Sequence, residues 1–463
     1  MSIVAKRLLY RHAAVASVLA GLLALPAGRA SGGEPALAPG PERPWAVPDT
    51  PRYSAGSAGN REAARPPGEG GLGPPVIDPA KRYELAELID IAQRTNPETR
   101  VAWERAREAA FAIGIAESIY APMLSAKATA AYQRFSAPLP KTVLTPEGFF
   151  IADTEFFLPG LTLKWLLFDF GGREASVEAT RELLAVTNFG FNATHQKIVF
   201  DVTRAYYALS AVAGRVEVAR SALDLAQKLQ DAAESRRGRG LATLPEVLQA
   251  RERTARAAYD LQEAISGETD SRMALLEAMG VRPTTTLRIA GLAGRQLPAK
   301  VEDTAEKLVE TALAQRPDLL ARVATVRARE AAVRKAQSEF YPRIVVAGDL
   351  AQNIGRLRTH GIPGWSDVNE TAYGAAISIE VPLFDGGLRR NRLGMAESQR
   401  RSAEAELDLA RDQTVRQVVK AYEDFKVALS RREAAVALVA ASERSYDATI
   451  DSYRRGVATF LDV

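Results

Sequence analysis

The residues of this chain whose type and spacing could do chemistry are few, and they lie far apart. The most distinctive carboxylates are Asp169 and Asp385, set in "LFDFGGR" (Leu167 to Arg173) and "LFDGGLR" (Leu383 to Arg389), each two residues before a glycine, Gly171 and Gly387. A carboxylate in such a setting has two uses. It can trade protons, which requires a partner group tuned against it. Or it can accept from the free N–H groups that open a helix, while glycine takes backbone conformations closed to other residues. No partner acid, base or nucleophile stands near either one, so both read as strand-to-helix joints. The three histidines, His12, His195 and His360, have no neighbours at metal-ligand spacing, which leaves solvated or packing roles. The absence of cysteine excludes thiolate metal sites and disulfides. With no nucleophile elbow, phosphate loop or His-Glu metal motif, neither an enzyme nor a cofactor is expected.

A second glycine pair stands in "RGLATLPEV" (Arg239 to Val247) and "RGVATFLDV" (Arg455 to Val463). Gly240 and Gly456 each follow an arginine and precede Thr243 and Thr459, the composition of a tight reversal between antiparallel helices.

Both pairs belong to a longer repetition, because the chain is written twice. Pro97 and Pro122 return 220 residues on as Pro317 and Pro342; Asp169, Gly171 and Tyr206 return 216 residues on as Asp385, Gly387 and Tyr422. A unit of that length is a duplicated half, not a solenoid repeat. Each half opens with a short amphipathic helix, then a proline-initiated helix that ends before "YAP" or "YP". Period-two segments follow, among them "MLSAKATAAYQ" (Met123 to Gln133), "LTLKW" (Leu161 to Trp165) and "ISIEVPL" (Ile377 to Leu383). Two strands per half make four per chain, with one apolar and one wet face. The stretches Gly172 to Arg237 and Gly387 to Arg455 then contain no proline and would each extend about 100 Å as helix. In the first, Ile198, Val202, Ala205, Leu209, Val212, Val216, Ala219, Leu223 and Ala226 alternate steps of four and three, a coiled-coil seam. The second keeps that seam through Val418, Ala421, Phe425 and Ala428.

At the N-terminus Lys6, Arg7 and Arg11 precede an apolar run, Ala13 to Leu25, too short to span a bilayer and closed by "PAGRA". This reads as an export signal, residues 1–30, cleaved after Ala30. Residues 31–80 form a leader that holds eleven of the 25 prolines up to Pro79; it is expected to be disordered, with Trp45 an exposed aromatic. The first repeat covers 81–280, a linker 281–302, and the second repeat 303–463, which has no counterpart of the helix expected over Leu248 to Gly280. A net charge of +4 on 463 residues, with no basic block, gives no reason to expect nucleic acid as a partner.

The duplication, the "FDGG" joint, the "YP" joint and the "RGxAT" turn, in that order twice over, resemble the TolC-like outer-membrane efflux proteins from about Tyr83 onward. The resemblance implies a mainly α protein with a small β part. A homotrimer would close a twelve-stranded membrane barrel, four strands from each protomer, that continues into a long barrel of coiled-coil helices. It implies a passive exit duct for efflux or type I secretion, seated in outer-membrane lipid and docked to a periplasmic adaptor and an inner-membrane pump. It places the glycine turns at the periplasmic tip, where Asp462 and Tyr453 match the acidic and tyrosine gate positions of the second copy and Glu246 the acidic position of the first. The family's arginine position holds Ala458, with Arg454 and Arg455 beside it. A periplasmic coiled-coil adaptor or scaffold is the alternative; it would share the long helices but lack paired membrane strands and the full duplication.

Overall fold

The computed structural model describes residues 38, 40–45, 77–138, 140–141, 148–291, 303–359, 363–455 and 457. The export signal, most of the leader, His360, Gly456, Thr459 and Asp462 lie outside them. In chain order the elements are β1 (Arg82–Tyr83), α1 (Leu85–Thr95), α2 (Pro97–Glu117), β2 (Met123–Pro138), β3 (Phe149–Phe168), α3 (Gly172–Gly238), α4 (Leu244–Ala278), β4 (Arg288–Ile289), α5 (Ala305–Gln315), α6 (Pro317–Ser338), β5 (Arg343–Thr359), β6 (Ser366–Glu380) and α7 (Leu388–Arg454). Pro97 and Pro317 each open a helix, where a missing N–H costs nothing. Pro122 and Pro342 immediately precede strands.

The chain divides into two compact units. One holds residues 110–183 and 326–402, built on a single antiparallel sheet in the order β2-β3-β5-β6. Its strands outrun the alternating segments that announce them: β3 alone has 20 residues. "ISIEVPL" is the exception, because β6 stops at Glu380 and Pro382 has no N–H to donate to a ladder. Beside the sheet, short pieces of helix are joined by apolar contacts of Val333, Ala336 and Ala396, and by ion pairs Arg181–Glu117 (2.8 Å) and Arg334–Glu178 (2.6 Å).

The other unit, residues 37–109, 184–325 and 403–463, is helical. Its core gathers Leu88 and Ala92 of α1, Ile198, Val202, Tyr206 and Leu209 of α3, and Leu275, Leu276 and Met279 around the end of α4. The last carbonyls of α4 and its cap are satisfied from outside the helix: Asn96 Nδ2 donates to Ala278 (3.0 Å) and Thr95 Oγ1 to Met279 (3.1 Å). Two strands that the period-two reading passes over, β1 and β4, pair in parallel with two residues each. They are too short to show a period. Tyr206, 1% exposed, locks this pairing to α3 by donating its hydroxyl to the Ala290 carbonyl at 2.7 Å.

The seam on α3 is buried or half-buried from Ile198 to Ala226. On α7 its equivalents are wetter, with Val418 half-buried and Phe425 39% exposed.

The leader departs from expectation. Trp45 is 7% exposed instead of solvated; it packs with Ala38 and Phe191 in a cluster that also takes in Phe189, Ala102 and Trp103. A large ring flanked by prolines can dock where the segment as a whole cannot build a core.

Candidate functional site

Register decides what the sheet can do, because directly paired residues in an antiparallel ladder project to the same face. On one face Leu163, Leu161 and Phe157 of β3 align with Leu124, Ala126 and Ala130 of β2 and with Gly348, Leu350 and Ile354 of β5. Tyr373 and Ile377 of β6 extend the same face through Leu350 and Val346. The opposite face carries Ser125, Lys127, Thr162 and Asp349 between small residues such as Gly160, Ala351 and Ala372. One face is therefore oily, and the other is polar and small apart from Phe156 and Leu158 of β3.

The oily face ends in a belt of ion pairs at the end of β3 remote from α3. Asp153, 8% exposed at its side chain, accepts from Arg358 (2.8 Å) and Tyr132 (3.0 Å) and lies 3.9 Å from Arg134. Glu155 pairs with Arg356 at 2.6 Å. The guanidinium groups of Arg356 and Arg358 lie 4.7 and 5.0 Å from the Trp365 ring centre. Sequence reading missed this belt. Its signal was available: charges recur at alternate positions, 153 and 155, 356 and 358, where an apolar alternation stops.

At the other end of the sheet the two joints face one cavity of about 790 Å³, which Asp169, Arg173, Asp385 and Arg389 help to line. Asp169 accepts from the Arg173 backbone N–H (2.7 Å) and from its guanidinium (3.2 Å). Arg173 also donates to the carbonyls of Leu166 (2.6 Å) and Leu167 (2.8 Å), which fastens the end of β3 to the start of α3. The second joint repeats the device. Asp385 accepts from the N–H of Gly387 (3.0 Å) and of Arg389 (3.3 Å), and pairs with the Arg389 guanidinium at 2.5 Å. These contacts hold its carboxyl below the usual carboxylate range, the Arg389 hydrogen bond contributing most. Gly171 and Gly387 have φ of 90° and 87°, open to glycine and strained for other residues. Both aspartates are thus spent on a helix start and an arginine, and the two other acidic residues lining the cavity, Glu339 and Glu380, pair with Arg392 and Arg343.

The reversal between α3 and α4 closes on Gly240, φ 71°. The Leu241 N–H donates to Arg236 and the Gly240 N–H to Arg237, both at 2.9 Å, the paired bonds of a glycine-terminated helix. Thr243 is the N-cap residue of α4, and its hydroxyl lies 3.2 Å from Glu246 in the first turn, where a carboxylate suits the helix dipole. Val247 and Ala250 then pack on Ala233. Tyr453 lies in the last turn of α7. His195 sits on α3, 2% exposed, with its ring edge-on to Phe191 and no hydrogen-bond partner on either nitrogen. No group of potential ligands that could hold a metal occurs among the described residues.

A family model described as outer membrane efflux protein matches residues 88–281 and 308–463, most of the chain and both halves. The chain belongs to that family. It is an outer-membrane efflux channel, with the mainly helical fold and the small sheet of its kind. The chain is 27% identical to Protein CyaE of Bordetella pertussis over 78% of this chain and 73% of that protein. It is 26% identical to outer membrane protein OprJ of Pseudomonas aeruginosa, over 82% and 76%. Among solved structures, the outer membrane protein VceC of Vibrio cholerae superposes with a TM-score of 0.65 at 24% identity, over 82% of this chain and 88% of that one. That likeness speaks for the fold alone. The family is one of channel proteins, and it works with an adaptor and an inner-membrane pump.

Proposed function

We propose that three copies of this chain close their four-stranded sheets into one twelve-stranded barrel, oily face to lipid and polar face to the lumen, as the passive exit duct of a tripartite efflux or type I secretion assembly. The observation that carries this is the two-faced sheet with no further strand beyond β2 or β6 among the described residues. Two open edges in hydrocarbon would leave backbone groups without partners, and closure by neighbouring copies removes both edges. The oily band fits the dimension required. From the Glu155 row to the Trp165 row is ten residues, about 33 Å along the strand and roughly 25 Å along the barrel axis at the usual tilt, the height of an outer-membrane apolar band. A periplasmic scaffold would have to hide the same face from water.

On this reading the ion-pair belt lies in the headgroup region and the joints stand at the opposite rim. The Gly240 turn lies at the periplasmic tip, where Glu246, with Asp462 and Tyr453 of the second copy, lines the narrow entrance. Partner choice is set there, by the adaptor the tip accepts. The particle mass in mild detergent tests the assembly: three protomers are expected, and a strictly monomeric particle would refute barrel closure.

A further inference from the structure

The docked piece of the leader, Ala38 and residues 40–45, is held in a sequence-independent way at one point. Asn192 of α3 accepts from the Trp45 N–H (2.8 Å) and donates to the Trp45 carbonyl (3.0 Å), so its amide reads the leader backbone as a neighbouring strand would. Trp103 of α2 adds a third bond from its indole N–H to the Ala38 carbonyl (3.2 Å). The Trp45 ring meets Phe189 edge-on at 5.3 Å. One turn along α3 from Asn192, His195 lies buried against Phe191, and Pro41 and Glu42 of the same leader segment face it.

The seat of His195 is built for a neutral imidazole. Both ring nitrogens are without a hydrogen-bond partner in a site 2% exposed. Charging the ring there costs desolvation that its surroundings offset only in part. The leader supplies two groups that would favour the charged form, the Pro41 carbonyl and the Glu42 carboxylate; burial outweighs them and holds the imidazole below its ordinary range. On α2, charged groups near this segment are engaged elsewhere. Thr99 is buried there and bonds to backbone carbonyls, Glu98 is taken by Lys197 (2.8 Å), and Arg107 lies over the Trp103 ring. On α3 itself Lys197 is held by Glu98 and Asp201.

We propose that Ala38 and residues 40–45 form a pH-sensitive strap, docked across α2 and α3 while His195 is neutral and released when the ring takes a proton. The sign follows from linkage. A histidine whose affinity for protons is lower when the strap is docked leaves docking at full strength above the free imidazole range, about pH 6.5, and weakens it as pH falls below that. Release would hydrate His195 and bare Phe191 and Trp103. The strap is thus a switch set by the acidity of the compartment around the helices.

Hydrogen exchange of the full chain in detergent, corrected for intrinsic rates, tests this at pH 8 and pH 5. Peptides over 38–45 report the strap, and a peptide within Phe157–Trp165 of β3 serves as the fold control. Protection of 38–45 is expected to be lost at pH 5 in the wild type, with β3 unchanged. It should persist at pH 5 in His195→Gln and remain pH-dependent in Glu42→Gln, which separates the imidazole from the carboxylate. Asn192→Ala should lower protection at both pH values. Equal protection of the wild type at both pH values would overturn the proposal, as would the same loss in His195→Gln. If His195→Gln does not fold, loss of the pH dependence in Glu42→Gln overturns it instead.

Discussion

Removing the Asp169 carboxylate isolates the joint that the duplication keeps twice. In Asp169→Ala the Arg173 backbone N–H loses its cap, worth about 1 kcal/mol. The Arg173 guanidinium loses a charge-assisted bond worth roughly 1.5–3 kcal/mol. Arg173 keeps the Leu166 and Leu167 carbonyls, and the pair is 12% and 18% exposed, so part of the second term is recovered from solvent and from those acceptors. A net cost of about 2 kcal/mol follows, or roughly a thirtyfold increase in local opening. Asp169→Asn retains an acceptor for the cap and should lose about half as much. Hydrogen exchange of the first turn of α3, Gly172 to Val177, under conditions where exchange tracks the opening equilibrium, reads this directly. A change below threefold in Asp169→Ala, or an Asn variant as damaged as the Ala variant, would refute the assignment of the carboxylate to the helix start.

The sister joint makes a pH prediction. Because the Asp385 carboxyl is held below its usual range, protection of the first turn of α7 should be complete above about pH 4 and decline as acid protonates the folded form; unchanged exchange down to pH 2.5 contradicts it. Gly280 has φ 69°, and an added Cβ would stand 2.7 Å from Asn96 Cα, so Gly280→Ala should destabilise the helical core by about 2 kcal/mol or more. Gly267 lies within α4, where a Cβ would meet nothing closer than 3.7 Å, so Gly267→Ala should stabilise by up to about 1 kcal/mol. Thermal melting of the two variants should move in opposite directions. If Glu246 lines the tip, Glu246→Ala should weaken the cation preference of single channels in planar bilayers; unchanged selectivity would make Glu246 a turn residue only.

Much of this was legible because backbone constraints leave strong marks in sequence. Proline at helix starts, glycine at left-handed turns and an aspartate at each joint need no tertiary context to be recognised, and their recurrence at one spacing exposed the duplication. The α3 seam was legible for the same reason, since a long helix repeats its buried positions many times. The misses share a different cause. Trp45 is buried by residues about 60 and 150 positions away, in a segment whose composition says only that it cannot fold alone. The β1–β4 pair spans about 200 residues with two residues per strand. The Asp153 and Glu155 pairs join β3 to β5 across half the chain, so single charges in strands became a belt only when register was fixed.

The account rests on β3 having one face in lipid and one in water, and this chain offers a clean test because it contains no cysteine. Single cysteines placed in turn from Phe157 to Lys164 can be reacted with a membrane-impermeant maleimide in intact outer membranes. Labelling should alternate strictly, with 158, 160, 162 and 164 reactive and 157, 159, 161 and 163 protected. Uniform labelling of both faces, or the reverse alternation, would contradict the channel wall proposed for this sheet.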